Sequence, residues 1–118
     1  MNTDIRSFIT HTANGDWQPL IEKGRLFRGV YVQSLRQDML AQRSPSILLK
    51  FEAGSAYPYH EHPAGEEIFV LDGECVIENT LLRAGDYLYT PPGYRHAVRS
   101  DTGCTLLLII PEEVVILQ

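Results

Sequence analysis

The sequence predicts an all-β domain, an antiparallel sandwich or barrel. Two observations carry that prediction. Nine glycines and seven prolines among 118 residues cut the chain into short apolar or β-branched runs. No window longer than a turn or two repeats its apolar residues at the 3.6-residue period of a helix. Many short strands at regular spacing, joined by turns, are the pattern of a small β-sandwich or barrel. The length fits one such domain, since single cores commonly run to roughly 100–200 residues.

Taken in order, residues 1–16, "MNTDIRSFITHTANGD", read as an N-terminal arm that is either loose or packed on a partner subunit. They contain no apolar stretch of the secretory type. Residues 17–118 form the barrel domain. Strands are expected at 26–35, 46–52, 67–71, 74–78, 81–83, 87–90, 96–99 and 104–110. The turns between them are "AGSAYP", "LDGE", "ENT", "RAGD", "PPGY" and "SDTG". One weak helical window covers 34–42, and Pro45 ends it. Gly54, Gly73, Gly85 and Gly93 stand where turns require positive φ.

Composition removes several classes of function. A formal charge of −5, with lysines and arginines scattered, argues against a nucleic-acid partner. The longest aliphatic run, 106–110, is far short of the roughly 20 residues needed to cross a bilayer. A soluble, cytoplasmic protein is the expectation. Cys75 and Cys104 form no CxxC pair and read as buried thiols. No glycine-rich phosphate loop, serine nucleophile elbow or HExxH helix is present.

The informative stretch is residues 60–67, "HEHPAGEE". In an extended strand residues i and i+2 share a face, so His60 and His62 project side by side. The turn Pro63-Ala64-Gly65 lets a following carboxylate come back to the same point. His96, in "PPGYRH", opens another strand. Three histidines and a carboxylate make an N/O site suited to zinc, iron, manganese, nickel or copper, and not to calcium or magnesium. A lone histidine is more often a surface or satisfied polar residue. Here three of four sit inside two glycine-proline frameworks, while His11 has none and reads as exposed. Strand parity does not choose the carboxylate: Glu66 shares a face with Ile68 and Val70, Glu67 with Phe69 and Leu71, and both faces are apolar, as in a strand buried on both sides.

The stretch 54–73, "GSAYPYHEHPAGEEIFVLDG", resembles the first cupin motif, G-x₅-H-x-H-x₃-E-x₆-G, at every fixed position. The stretch 85–96, "GDYLYTPPGYRH", resembles the second, G-x₅-P-x-G-x₂-H, with Ser100 in the place where an asparagine often follows. The likeness is closest to ChrR-type cupins, the metal-binding domain at the C-terminus of ChrR anti-sigma factors. These carry a similar H-x-H-P-G-G-E-E-I-x-V-L-x-G run, a Trp-x-Pro near the start (here Trp17-Gln18-Pro19), a "PPG" before the last histidine and a Gly-Cys like Gly103-Cys104. The resemblance covers about residues 17–110. It implies a small cupin jelly-roll barrel with one metal ion held by His60, His62, Glu66 and His96: zinc first, with iron, manganese or nickel as alternatives. The family spacing selects Glu66, and Glu67 then points the other way, toward a cation or toward a ligand histidine as an outer-shell partner.

Tyr57, Tyr59, Tyr87, Tyr89 and Tyr94 cluster around the motifs. Sheet packing accounts for most of them, with one or two left to line the barrel mouth. Arg28 and Arg95 are candidates for binding an anion, against the commoner role of a solvated or ion-paired arginine. The function implied is a metal-binding module that senses a small molecule or stress. The anti-sigma segment of ChrR, with its H-x₃-C-x₂-C pattern, has no counterpart before Trp17, which argues against direct sigma-factor binding. The second reading is a non-haem dioxygenase of the acetylacetone-cleaving type, although those enzymes resemble a three-histidine pattern without the glutamate. Four protein ligands leave open positions on a five- or six-coordinate ion and none on a tetrahedral one. The resemblance also implies a homodimer. From ordinary histidine chemistry, with a pKa of about 6.5, metal binding is expected to weaken as pH falls through that range.

Overall fold

The computed structural model describes residues 3–118. Ten antiparallel strands form one curled sheet: β1 (Gln18–Glu22), β2 (Arg25–Asp38), β3 (Arg43–Phe51), β4 (Ser55–His62), β5 (Glu66–Ile77), β6 (Thr80–Arg83), β7 (Tyr87–Thr90), β8 (Tyr94–Ser100), β9 (Cys104–Ile109) and β10 (Val115–Ile116). The strand order is β1-β2-β3-β9-β5-β8-β4-β10, with β6 and β7 also paired to β5. This is the small β-barrel that the turn spacing predicts. Before it, Ile5–Phe8 and Thr12–Asn14 form short 3₁₀ turns with no buried residue. They are tied to β2 where Thr10 Oγ1 donates to Leu35 O and Gln33 Nε2 to Thr12 O. Among the described residues no helix is long and apolar enough to cross a membrane.

Strand β5 joins the two halves. Its first half pairs with β9 and β7, and its second with β6 and β8. The expected turn at "LDGE" is instead a bulge, where the register with β9 shifts between Val70 and Asp72. Gly73 sits there at φ +72°, and a Cβ would meet Gly103 O at 2.2 Å, so no larger residue fits. The bulge reverses parity: Glu66, Ile68 and Val70 point inward before it, Cys75 and Ile77 after it. Only one face of β5 is buried. Phe69 and Leu71 are exposed on the other, which corrects the expectation of a strand covered on both sides.

The weak helical window is overturned. Strand β2 runs on through it to Asp38 because Ser34, Arg36 and Asp38 pair with Ile47, Ser46 and Arg43 of β3. A ladder partner outweighs a marginal helical preference. Three strands lie outside the expected list: β1, β4 and β10. The first two each contain a proline, which lowers a strand reading. Pro19 lies on a strand at the end of the sheet order, and Pro58 lies within the irregular stretch of the β4–β8 ladder.

The interior is lined by Phe27, Val30, Phe51, Ile68, Val70, Ile77, Val98, Leu106 and Leu108. Cys75 and Cys104 are buried free thiols within it, as expected of small apolar residues. Full burial of one Val, Leu, Ile or Phe side chain contributes about 1.5–3 kcal/mol. An interior of this size gives the barrel a core of its own.

Candidate metal centre

Strand β4 delivers two of the polar groups. Its register with β8 is broken between Tyr57 and His60, then resumes with His60 opposite His96 and His62 opposite Tyr94. As a result Tyr57, His60 and His62 all face inward. The Pro63-Ala64-Gly65 turn closes back through Gly65 N–H donating to His62 O at 3.1 Å, and Gly93 N–H donates to the same oxygen at 2.8 Å. Gly65 is at φ +80°, and a Cβ there would meet Thr90 O at 2.7 Å. Only glycine allows so tight a return, and it starts β5 with Glu66 on the histidine side.

The side chains converge. His60 Nε2 lies 2.8 Å from His62 Nε2, which lies 3.0 Å from His96 Nε2. Glu66 Oε1 is 3.2 Å from His62 Nε2 and 3.4 Å from His96 Nε2. All four residues are at most 4 % exposed. The three histidines form a group able to hold a metal ion. His60 Nδ1 is 2.6 Å from Pro58 O and donates to it, which leaves its Nε2 lone pair bare and aimed at the cluster. Glu66 Oε1, His62 Nδ1 and His96 Nδ1 are buried without a hydrogen-bond partner.

These residues fit a metal ion. Three buried ring nitrogens and a carboxylate oxygen facing one point cannot all be satisfied by one another, because at most one proton fits between each pair. For bonds of about 2.0–2.1 Å, two nitrogens on one ion stand about 2.9 Å apart at a right angle and about 3.3 Å apart at a tetrahedral angle. The four separations given above, from 2.8 to 3.4 Å, span the range that donors sharing one ion would show. Burial is the largest cause lowering the pKa of His60 to about 4 and of His62 to about 3, and for both a neighbouring histidine adds repulsion. Both rings are therefore neutral, the metal-binding form, throughout the neutral range. Burial holds the Glu66 carboxyl above its usual range, against the opposing influence of the neighbouring His96, so a cation at this point would stabilise its ionised form.

The residues outside the cluster sort clearly. Glu67 lies on the opposite face of β5 and accepts from Tyr87 Oη at 2.7 Å, so it meets neither a cation nor a ligand histidine. His11 is exposed. Arg95 pairs with Glu61 at 2.8 Å, and Arg28 is exposed. Ser100, in the place of the family asparagine, is fully buried; it donates to Glu74 O at 2.7 Å and accepts from Gly103 N at 2.9 Å. Tyr59, Tyr87, Tyr89 and Tyr94 are exposed.

A cavity of about 340 Å³ opens onto the cluster, and His60, His62 and Glu66 belong to its wall. Most of the remaining wall is aliphatic, including Ile47, Leu49, Ile68 and Leu108, and the β2–β3 loop at residues 41–44 contributes to its lining. Tyr57 also lines it, with Glu22 of β1, and donates a hydrogen bond to Glu22 Oε1. Burial, followed by that bond, pushes the Tyr57 hydroxyl far above its ordinary range. Glu22 is a residue that sequence reasoning missed. No motif covers it, and its partner stands 35 residues away.

An antiparallel barrel with a buried three-histidine, one-carboxylate cluster facing its interior is the construction of a cupin. The chain belongs to the ChrR cupin-like domain family, whose model matches residues 6–110. It is also similar to the "DNA damage-repair/toleration protein" of Arabidopsis thaliana, at 31 % identity over 86 residues, and to the dimethylsulfoniopropionate lyase DddQ of Ruegeria pomeroyi, at 42 % over 53 residues. These matches cover 67 % and 41 % of this chain but only 28 % and 26 % of those proteins. Among solved structures, a candidate acetylacetone dioxygenase from Methylibium petroleiphilum superposes with a TM-score of 0.80 at 16 % identity, over 100 % of this chain and 85 % of that one. The acetylacetone dioxygenase of Acinetobacter johnsonii gives 0.75 at 16 % identity, over 93 % and 75 %. At such identities the likeness is one of fold.

Proposed function

We propose that this protein holds one divalent transition-metal ion at His60, His62, Glu66 and His96, and that it binds a small organic molecule in the adjoining cavity as a sensing or regulatory module. The observation that carries this reading is that four buried donor atoms converge on one point and three of their residues, His60, His62 and Glu66, belong to the wall of a largely apolar cavity. A site kept for stability alone has no use for that cavity. The N/O donor set supports a transition metal such as zinc, iron, manganese or nickel over calcium or magnesium. Bound there, the ion supplies a Lewis acid. The protein's own part is to keep His60 and His62 neutral, fix the His60 tautomer through Pro58 O and shield the site with aliphatic walls. Membership of the ChrR cupin-like family supports regulation, and a cytoplasmic homodimer is the form proposed.

The second reading is a small dioxygenase, supported by the shared fold with acetylacetone dioxygenases and by the cavity meeting the donor atoms directly. Elemental analysis of protein purified without added metal, followed by oxygen uptake with diketones, separates the two. Tightly held metal without turnover supports the module. Iron with turnover supports the enzyme. Protein that takes up no transition metal at all removes both.

A further inference from the structure

We infer that Tyr57 and Glu22 form a second recognition element in the cavity, one that selects a ligand bearing a hydroxyl or amine donor and turns away carboxylates. The inference rests on reading the cavity as the ligand pocket and adds the class of ligand it takes.

The argument starts from where the two residues stand. Tyr57 is 7 % exposed, and its ring is wedged between Phe27, with centroids 4.9 Å apart, and His60, at 4.8 Å edge-on. That packing fixes the ring beside the donor cluster. Glu22 reaches the same wall from β1. The hydroxyl of a tyrosine has one proton and two lone pairs. Here the proton is committed to Glu22 Oε1. What the phenol oxygen has left to offer a ligand is acceptor capacity, and the carboxylate behind it offers only acceptors as well. A donor group on the ligand completes this pair. A carboxylate placed there meets lone pairs and a like charge in a poorly hydrated site, an arrangement that costs both desolvation and repulsion.

The rest of the lining agrees. Apart from Glu66 in the donor cluster, Glu22 and Glu113 line the cavity against one cation, Arg43. Arg43 Nη1 donates to Pro111 O at 3.1 Å. Arg28 and Arg95, the arginines that sequence suggests for an anion, are not part of the wall, and Arg95 is occupied by Glu61. Beyond the donor cluster the wall thus carries more carboxylates than cations. Its aliphatic remainder suits an apolar body.

The test compares three probes of one shape: cyclohexanol, cyclohexanone and cyclohexanecarboxylate. Each is titrated into the protein as purified, with metal content measured, and again after chelator treatment. Binding is read from methyl NMR shifts. Cyclohexanol is expected to bind roughly tenfold or more tighter than the carboxylate, with the ketone between them, in line with a hydrogen bond to a charged pair. Tyr57→Phe keeps the ring packing and removes only the oxygen. It should erase most of cyclohexanol's advantage over the ketone, with metal content and melting temperature close to those of the parent protein. Glu22→Gln should strengthen carboxylate binding. Carboxylate binding as tight as that of the alcohol, an alcohol preference that survives Tyr57→Phe combined with Glu22→Gln, or no binding by any probe at millimolar concentration would each overturn the inference. The chelator-treated arm separates it from the metal reading. A preference that persists without metal belongs to Tyr57 and Glu22, whereas failed metal retention with the preference intact removes the metal assignment alone.

Discussion

Two buried polar clusters sit inside this barrel, and they are finished differently. Around Ser100 the hydroxyl donates to Glu74 O and accepts from Gly103 N, so its donor and an acceptor site are both used. Around His62 the reverse holds: Glu66 Oε1, His62 Nδ1 and His96 Nδ1 are buried with no hydrogen-bond partner, and three ring nitrogens crowd one point. Buried polar groups are normally paired, because an unpaired one costs about 1–3 kcal/mol. A cluster that completes its own bonds joins strands together. A cluster left with surplus donor atoms has capacity for a bound ion. Burial alone does not distinguish the two, since Ser100 and His62 are equally inaccessible.

The largest effect that tests this contrast is ligand removal. His60→Ala, His62→Ala and His96→Ala are each expected to abolish stoichiometric metal retention, measured by elemental analysis after gel filtration. His11→Ala should retain metal like the parent protein. Equal loss in the His11 variant would show that the contrast misplaces the site.

The adjacent glutamates come next. Glu66→Gln removes the one carboxylate facing the cluster, and its effect on metal affinity should exceed the roughly 10–100-fold typical of an outer-shell partner. Glu67→Gln disturbs only the bond from the Tyr87 hydroxyl at the surface and should leave affinity within about twofold. Competition with a chromophoric chelator measures both. The reverse order would put the working carboxylate on the outer face of β5.

Protons give a subtler test. At His60 and His62, whose folded values are lowered to about 4 and about 3, protons compete with metal near and below those values. For those two ligands the expectation from an ordinary histidine, weakening near pH 6.5, moves down: the melting-temperature gap between holo and chelated protein should still be present at pH 5.5 and collapse below about pH 4. The apo protein behaves differently. Its folded His60 and His62 resist the proton that the unfolded chain binds from about pH 6.5 downward, so the stability they contribute is fully present above that pH and is lost as pH falls toward the folded values. A gap that shrinks with a midpoint near pH 6.5 would mean the rings titrate as if exposed.

The smallest effect belongs to the finished cluster. Ser100→Ala leaves Glu74 O and Gly103 N unpaired and should lower stability by about 1–3 kcal/mol in urea unfolding, with metal stoichiometry unchanged. Loss of metal in that variant would show the two clusters to be one coupled network.

The sequence by itself determined a good part of this. Glycine and proline spacing marked an all-β barrel, because those residues act on local φ and on single hydrogen bonds and need no distant partner. The spacing of His60, His62, Glu66 and His96 marked the donor set through its likeness to cupin motifs, and Gly65 shows why it works: only a residue without a Cβ lets the turn pass Thr90 O. The tertiary structure decided the rest, wherever parity or pairing crosses a long gap. Strand parity places Tyr57 on the face opposite His60, yet the irregular register between them turns both inward. The strand runs on through "LDGE", with its inward parity reversed, because a bulge replaces the expected turn. Residues 34–38 are strand because β3 supplies their partners. Glu22 enters the cavity because β1 lies against β2 and its side chain meets Tyr57, 35 residues along the chain. Local residue preferences extend over a few positions, whereas bulges, ladder partners and cavity walls exist only once distant segments are in contact.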